Sequence, residues 1–158
     1  MKIEFIEKQK FTQWWLWLIL IGIGILPIIG LYKQLILKQF FGDNPMSDFG
    51  LIIFSLFILI IIGLFYLIVL KTEISNKGIT MRFIPFVEKK IKWSEIKNAE
   101  IIKYGFTGYG IRISLKYGTI YNIKGKNGLF IELHNGEKIL IGTQKENELK
   151  KIINQHLK

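Results

Sequence analysis

The sequence predicts a two-helix transmembrane hairpin joined to a small, mainly-β domain that closes with one α-helix. Three observations carry this reading. Two uncharged apolar runs, residues 14–32 and 51–70, are each about as long as a bilayer is thick. After Lys71 the apolar residues switch to a period of two, the mark of half-buried strands. From Leu149 onward they recur at helical spacing. The expected division is therefore 1–70, an N-terminal tail and two spans, and 71–158, a cytoplasmic domain.

The first run, Trp14 to Tyr32, has 19 residues and the second, Leu51 to Leu70, has 20. A signal peptide has a shorter apolar core and a small-residue cleavage site, whereas Leu31, Tyr32, Lys33 and Gln34 follow here. Trp14, Trp15, Trp17 and Tyr32 mark the ends of the first span as interfacial aromatics do. Pro27 lies within it, as membrane helices tolerate. The first helix is expected to run on past Leu37 until Gly42-Asp43-Asn44-Pro45 stops it.

Orientation follows from basic residues near the span ends. Lys2, Lys8 and Lys10 precede the first span, and Lys71, Lys77, Arg82, Lys89 and Lys90 follow the second. The connecting loop has only Lys33 and Lys38. This imbalance predicts a multi-pass protein of the cell membrane with both termini in the cytoplasm. Antiparallel spans put Gly22 and Gly24 at the depth of Gly63, where close backbone approach is expected and Gly63→Leu should weaken it. Neither span contains Asp, Glu, Lys, Arg or His, the residues that mark proton relays and ion paths. The helices read as an anchor.

Charge is concentrated at the other end. Residues 71–158 hold 17 Lys/Arg against 8 Asp/Glu, so nearly all of the net charge of +10 lies there. The chain has no cysteine, which removes disulfides, thiolate metal sites and cysteine nucleophiles. His134 and His156 stand far apart without metal-ligand spacing, so neither a metal nor another cofactor is expected. His156 falls on the apolar stripe of the last helix and reads as a packing residue.

Strands are expected near 71–75, 79–84, 89–93, 99–104, 111–116, 119–124, 129–134 and 137–142. Ile79, Met81 and Phe83 alternate with Thr80, Arg82 and Ile84, and Ile111, Ile113 and Leu115 alternate with Arg112, Ser114 and Lys116. Asn135-Gly136 is a hairpin signal, expected to form a type I′ turn. Thr143-Gln144-Lys145-Glu146 fits a capping box at the start of the last helix. Short consecutive antiparallel strands of this kind point to a small barrel or sandwich.

Several stretches carry a likeness: Thr72-Glu73-Ile74 with Lys77-Gly78-Ile79, and Arg82-Phe83 through Trp93-Ser94-Glu95-Ile96. Tyr109-Gly110-Ile111-Arg112, Tyr121-Asn122-Ile123-Lys124-Gly125 and Leu140-Ile141-Gly142-Thr143-Gln144 complete it. Over residues 71–158 the chain resembles bacterial pleckstrin-homology-like membrane proteins. The resemblance implies a split barrel of seven or eight antiparallel strands capped by a C-terminal helix, in a membrane setting, and implies no reaction. Eukaryotic relatives bind phosphoinositides through a dense basic loop between the first two strands; Ser75-Asn76-Lys77-Gly78 has a single lysine there.

The chemistry-bearing candidates are few. Gly105-Phe106-Thr107-Gly108-Tyr109-Gly110 lies between strands and lacks the ending of a phosphate loop, so it reads as a flexible loop. Ser94 is expected to cap a short helical turn. No Ser-His-acid set assembles around His134, and an enzyme is not expected. The basic residues Lys71, Lys77, Arg82, Lys89, Lys90 and Lys92 are the candidate lipid- or anion-binding set, with Arg82, Lys90 and Lys92 facing away from the core. Three functional readings stay open. One is a non-catalytic binding or scaffolding module engaging a protein partner or another copy of itself. The second is a domain that reads anionic lipid head groups, and the third is an accessory subunit of a membrane enzyme or transporter. The lipid bilayer is a partner in all three, and nucleic acid in none.

Overall fold

A computed structural model describes residues 2–105 and 108–157. Two compact units make up the chain, one of residues 11–67 and one of residues 1–10 with 68–158.

The first unit is helical. Helix α1, Trp14–Leu31, continues into a π-helical turn, Tyr32–Ile36, and α2 spans Asp48–Leu67. Both are long and apolar enough to cross a membrane. The first ends at Ile36, earlier than the sequence suggested, and Lys38 adopts a positive φ of 54°. The connection is tied by Gln34, a buried side chain whose Nε2 donates to Met46 O and Asp48 Oδ1, both at 2.7 Å. Of the three glycines expected at the helix contact, only Gly24 is there. A Cβ on Gly24 would lie 2.9 Å from Ile62 Cδ1, whereas Gly22 and Gly63 meet nothing within 4 Å. Helical rotation places Gly24, Pro27 and Gly30 on one buried face at three-residue spacing, and Gly22 falls off that stripe. Gly30 is the second close approach, against the Phe41 ring.

Among the described residues, the second unit contains nine strands in two sheets. Strands β1 (Ile3–Lys10), β2 (Val69–Ser75), β3 (Gly78–Ile84) and β4 (Val87–Lys92) form an antiparallel sheet in that order. Strands β5 (Ile96–Lys103), β6 (Gly110–Ser114), β7 (Gly118–Asn122), β8 (Asn127–Leu133) and β9 (Lys138–Thr143) form the other, in the order β5-β8-β9-β7-β6. Helix α3, Glu146–His156, closes the chain, with Leu149 and Ile153 buried.

Three features correct the sequence reading. First, residues 3–10 are a strand and not a tail. Lys10 pairs with Val69 and Glu7 with Thr72, so β1 and β2 are neighbours, with both helices inserted between them along the chain. Alternation of apolar residues missed β1 because its buried face is Phe5, Glu7 and Gln9, two of them polar. Glu7, 5% exposed, accepts from Thr143 Oγ1 at 2.6 Å and from the Gln144 N–H at 2.8 Å. Gln9 Nε2 donates to Gly142 O at 2.7 Å. These bonds clasp the first sheet to the end of β9.

Second, the strands are not a purely antiparallel meander of seven or eight. β9 lies between β8 and β7 and runs parallel to β7. Ile139, Leu140 and Ile141 are all buried, and a continuous apolar run suits a central strand covered on both faces better than an edge. Ile139 and Ile141 share the inner face with Leu129, Ile131 and Tyr121, toward Phe83 of the first sheet. Leu140 belongs to a smaller core on the other face with Ile120 and Tyr104. There Gly128 and Gly142 pair across β8 and β9 and leave a flat floor under the Tyr104 ring.

Third, local chemistry differs at the turns. Among the described residues the only non-glycine with positive φ is Lys38, so Asn135-Gly136 is not a type I′ turn. Gly136 alone takes positive φ, its N–H donating to Leu133 O at 3.0 Å, in a loop of four residues. The capping box at α3 is also absent. Thr143 accepts from the Lys145 N–H and donates to Glu7, while Glu146 pairs with Asn127. Trp93–Glu95 forms the expected helical turn, but Glu95 Oε2, not Ser94, accepts the Lys92 N–H. In the glycine-rich connection, Phe106 and Thr107 lie outside the described residues.

Candidate binding surfaces

The register of β2, β3 and β4 decides where the candidate cations go. Lys71 faces Arg82, and Arg82 faces Glu88; Glu73 faces Thr80, and Thr80 faces Lys90. Side chains alternate across a strand, so Lys71, Glu73, Arg82, Glu88, Lys90 and Lys92 share the outer face of this sheet. There the cations are interleaved with carboxylates. Lys71 Nζ lies 2.5 Å from Glu73 Oε1, and Arg82 reaches Glu73 at 3.1 Å and Glu88 at 3.2 Å. Lys90 meets Glu88 at 3.2 Å. The hydrogen bonds from Lys90 and Arg82 hold the Glu88 carboxyl below its usual range. The ladder thus spends much of its positive charge internally. Lys77, in the β2–β3 turn, and Lys92, which pairs with the neighbouring Gly78, lie together at one end of the sheet.

Lys89 does not belong to this face. It has the opposite parity on β4 and is bonded to Glu137 in the loop between β8 and β9. It lines an open cleft of about 450 Å³ between the edge strand β4 and the β8–β9 loop, together with Lys90, Ser94, Glu95, His134 and Glu137. The His134 N–H donates to Glu95 O at 3.0 Å, fixing the loop across the mouth. Among the described residues no hydrogen bond joins the His134 imidazole to Ser94 or Glu95, so these three residues share a cleft without forming a relay. Cations and carboxylates alternate around the opening. Among the described residues, the outward N–H and C=O groups of β4 have no neighbouring strand.

His156 has a different role from either surface. It stacks on Trp93 at 4.2 Å with the rings 11° apart, and its Nε2 is 2.7 Å from Glu4 Oε2. The end of α3 is thereby fastened to β1 and to the turn after β4. Trp93 is itself fixed, its indole N–H donating to Ser75 O at 2.9 Å. Among the described residues no group of three or more His, Asp or Glu could hold a metal ion.

One surface was not legible as a surface. Ile111 and Ile113, which the alternating pattern assigns to the core face, do point the same way as buried Tyr121, since Ile111 pairs with Tyr121 and Ile113 with Thr119. But β6 is the edge of its sheet, and cover runs out before it: Ile113 is 90% exposed and Leu115, in the turn after it, is fully exposed. Period two reports which face a side chain is on, and says nothing of how far the opposing layer extends. Compared with known proteins, the chain matches no family model and no curated sequence.

Proposed function

We propose that this chain is a membrane-anchored, non-catalytic binding module of the bacterial pleckstrin-homology-like kind. In this reading two spans hold the β-rich unit at the cytoplasmic face, and a protein partner is engaged by strand addition along β4. The observation that carries the anchoring is the pairing of β1 with β2. Strands that share a hydrogen-bonded ladder lie in one compartment, and the residues between them contain two helices of bilayer length. Both helices cross or neither does. The excess of Lys and Arg outside the loop then favours termini in the cytoplasm. Nine mostly antiparallel strands in two sheets with a closing helix support the family reading, although β1 and the parallel β7–β9 pair lie outside the pattern expected from it.

The partner reading rests on the unpaired edge of β4 beside a cleft of mixed charge. The ion-paired outer face offers less to anionic head groups than its lysine count suggests, because Glu73 and Glu88 sit among the cations. A photo-crosslinking residue at Lys90 or His134 of the intact protein, in native membranes, tests the assignment. A discrete adduct at both positions, and none from a residue on β5, is expected. Absence of adducts at both would sink strand addition at β4. Retention of the chain in membranes after an alkaline wash tests the anchor separately.

A further inference from the structure

We infer that the β6–β7 hairpin is a lipid-inserting element, its apolar edge entering the boundary between head groups and acyl chains of an anionic leaflet. The inference rests on the anchoring reading above, which places a bilayer within reach. Ile111, Ile113 and Leu115 project from one hairpin, the last two almost or fully exposed. Three large apolar side chains lie on an edge strand and the turn after it, two of them almost or fully exposed, so they suit entry into a soft phase.

Charge selects the same occupant. From Ile101 to Ile131 the chain has no Asp or Glu, yet it contains Lys103, Arg112, Lys116, Lys124 and Lys126. This contrasts with the ladder on the first sheet, where Glu73 and Glu88 intervene. Arg112, which points to the opposite face of β6 from Ile111 and Ile113, and Lys116 flank the exposed apolar residues along the chain. The Arg112 Nε–H donates to Tyr109 O at 3.2 Å, and the Lys116 ammonium lies 4.9 Å from the centre of the Tyr117 ring. Apolar tips with basic residues and an aromatic ring beside them are what an anionic interface stabilises.

A second copy fits less well. Antiparallel addition of β6 to β6 with all five residues overlapping puts Arg112 directly opposite itself, and like charges in register oppose pairing.

The chain has no cysteine, so Leu115→Cys in the full-length protein provides a unique attachment point for an environment-sensitive fluorophore. The labelled protein would be reconstituted in phosphatidylcholine vesicles with and without phosphatidylglycerol. Emission should shift to the blue and be quenched by lipids spin-labelled near the top of the acyl chain, most strongly with phosphatidylglycerol present. Each close basic residue contributes about fivefold to such an equilibrium, so neutralising Arg112 and Lys116 together should lower insertion roughly twenty-five-fold. A label that stays exposed on protein retained through an alkaline wash overturns the insertion and leaves the anchor standing. Protein washed off the vesicles overturns the anchor itself. Shielding that persists in micelles and grows with protein concentration assigns the hairpin to self-association and overturns the lipid reading.

Discussion

Replacing Glu7 with Ala tests what holds the N-terminal strand in place. The carboxylate is buried and accepts two hydrogen bonds, from the Thr143 hydroxyl at 2.6 Å and the Gln144 N–H at 2.8 Å. A hydrogen bond to a charged group contributes about 1.5–3 kcal/mol. The two do not count equally after truncation. Gln144 is exposed, so its amide can turn to water, whereas Thr143 is buried and its hydroxyl is left without an acceptor. The net loss is then about 1.5–3 kcal/mol for opening of β1, the value of one charged bond. At about 1.4 kcal/mol per factor of ten, amide exchange in β1 and its partner β2 should accelerate roughly ten- to a hundred-and-forty-fold. Hydrogen exchange read by mass spectrometry on the full chain in detergent reports those strands separately from β3 and β4. Glu7→Gln keeps one accepting oxygen and the side-chain volume, and should lose less. If exchange in β1 changes by less than about threefold in the Ala variant, the bonds to Thr143 and Gln144 do not hold the strand, and the reasoning fails.

Further outcomes follow from the same structure. Gly142→Ala would place a Cβ 2.6 Å from Asn122 Oδ1 and 3.3 Å from the Tyr104 hydroxyl, and should cost about 1–3 kcal/mol in denaturant unfolding of the β-rich unit. Tyr104→Phe removes a buried hydroxyl that has no hydrogen-bond partner among the described residues and should be neutral or stabilising in the same assay. Burial pushes the Tyr104 hydroxyl up to about 12, from 10.0. Its contribution is therefore fully present below pH 10, where both states are neutral, and is lost as pH rises through about 12. Alkaline unfolding followed by circular dichroism should be shallower in that window for Tyr104→Phe, and an unchanged slope would count against the burial argument. In the helical unit, Gly24→Leu should lower thermal stability in detergent because Ile62 occupies the space, whereas Gly63→Leu should not.

The two helices were legible because uniform apolarity over bilayer length needs no knowledge of partners. Most of the strands from 71 onward were legible too, through alternation and turn residues. What escaped depended on the third dimension. β1 was hidden because the side chains it buries include Glu7 and Gln9, which become satisfied only when β9 ends beside them. The parity of Arg82, Lys90 and Lys92 was readable, but the pairing of Arg82 with both Glu73 and Glu88 comes from the register of three strands, which spacing along the chain does not contain. Lys89 was grouped with Lys90 by sequence adjacency, although neighbours on a strand point to opposite sheet faces. The exposure of Ile113 and Leu115 depends on where the facing sheet stops.

The placement of both helices between two adjoining strands has a consequence for biogenesis. Strand β1 leaves the ribosome first, yet its ladder partner emerges only after the second helix has been made. On the proposed anchoring, completion of the sheet waits on membrane insertion. A chain whose hairpin inserts with one crossing strands β1 on the wrong side and leaves β2 with a bare edge, a template for aggregation and for quality-control proteases. Folding would in that way audit topology, and pulse-chase degradation of variants with an inverted first helix would reveal it.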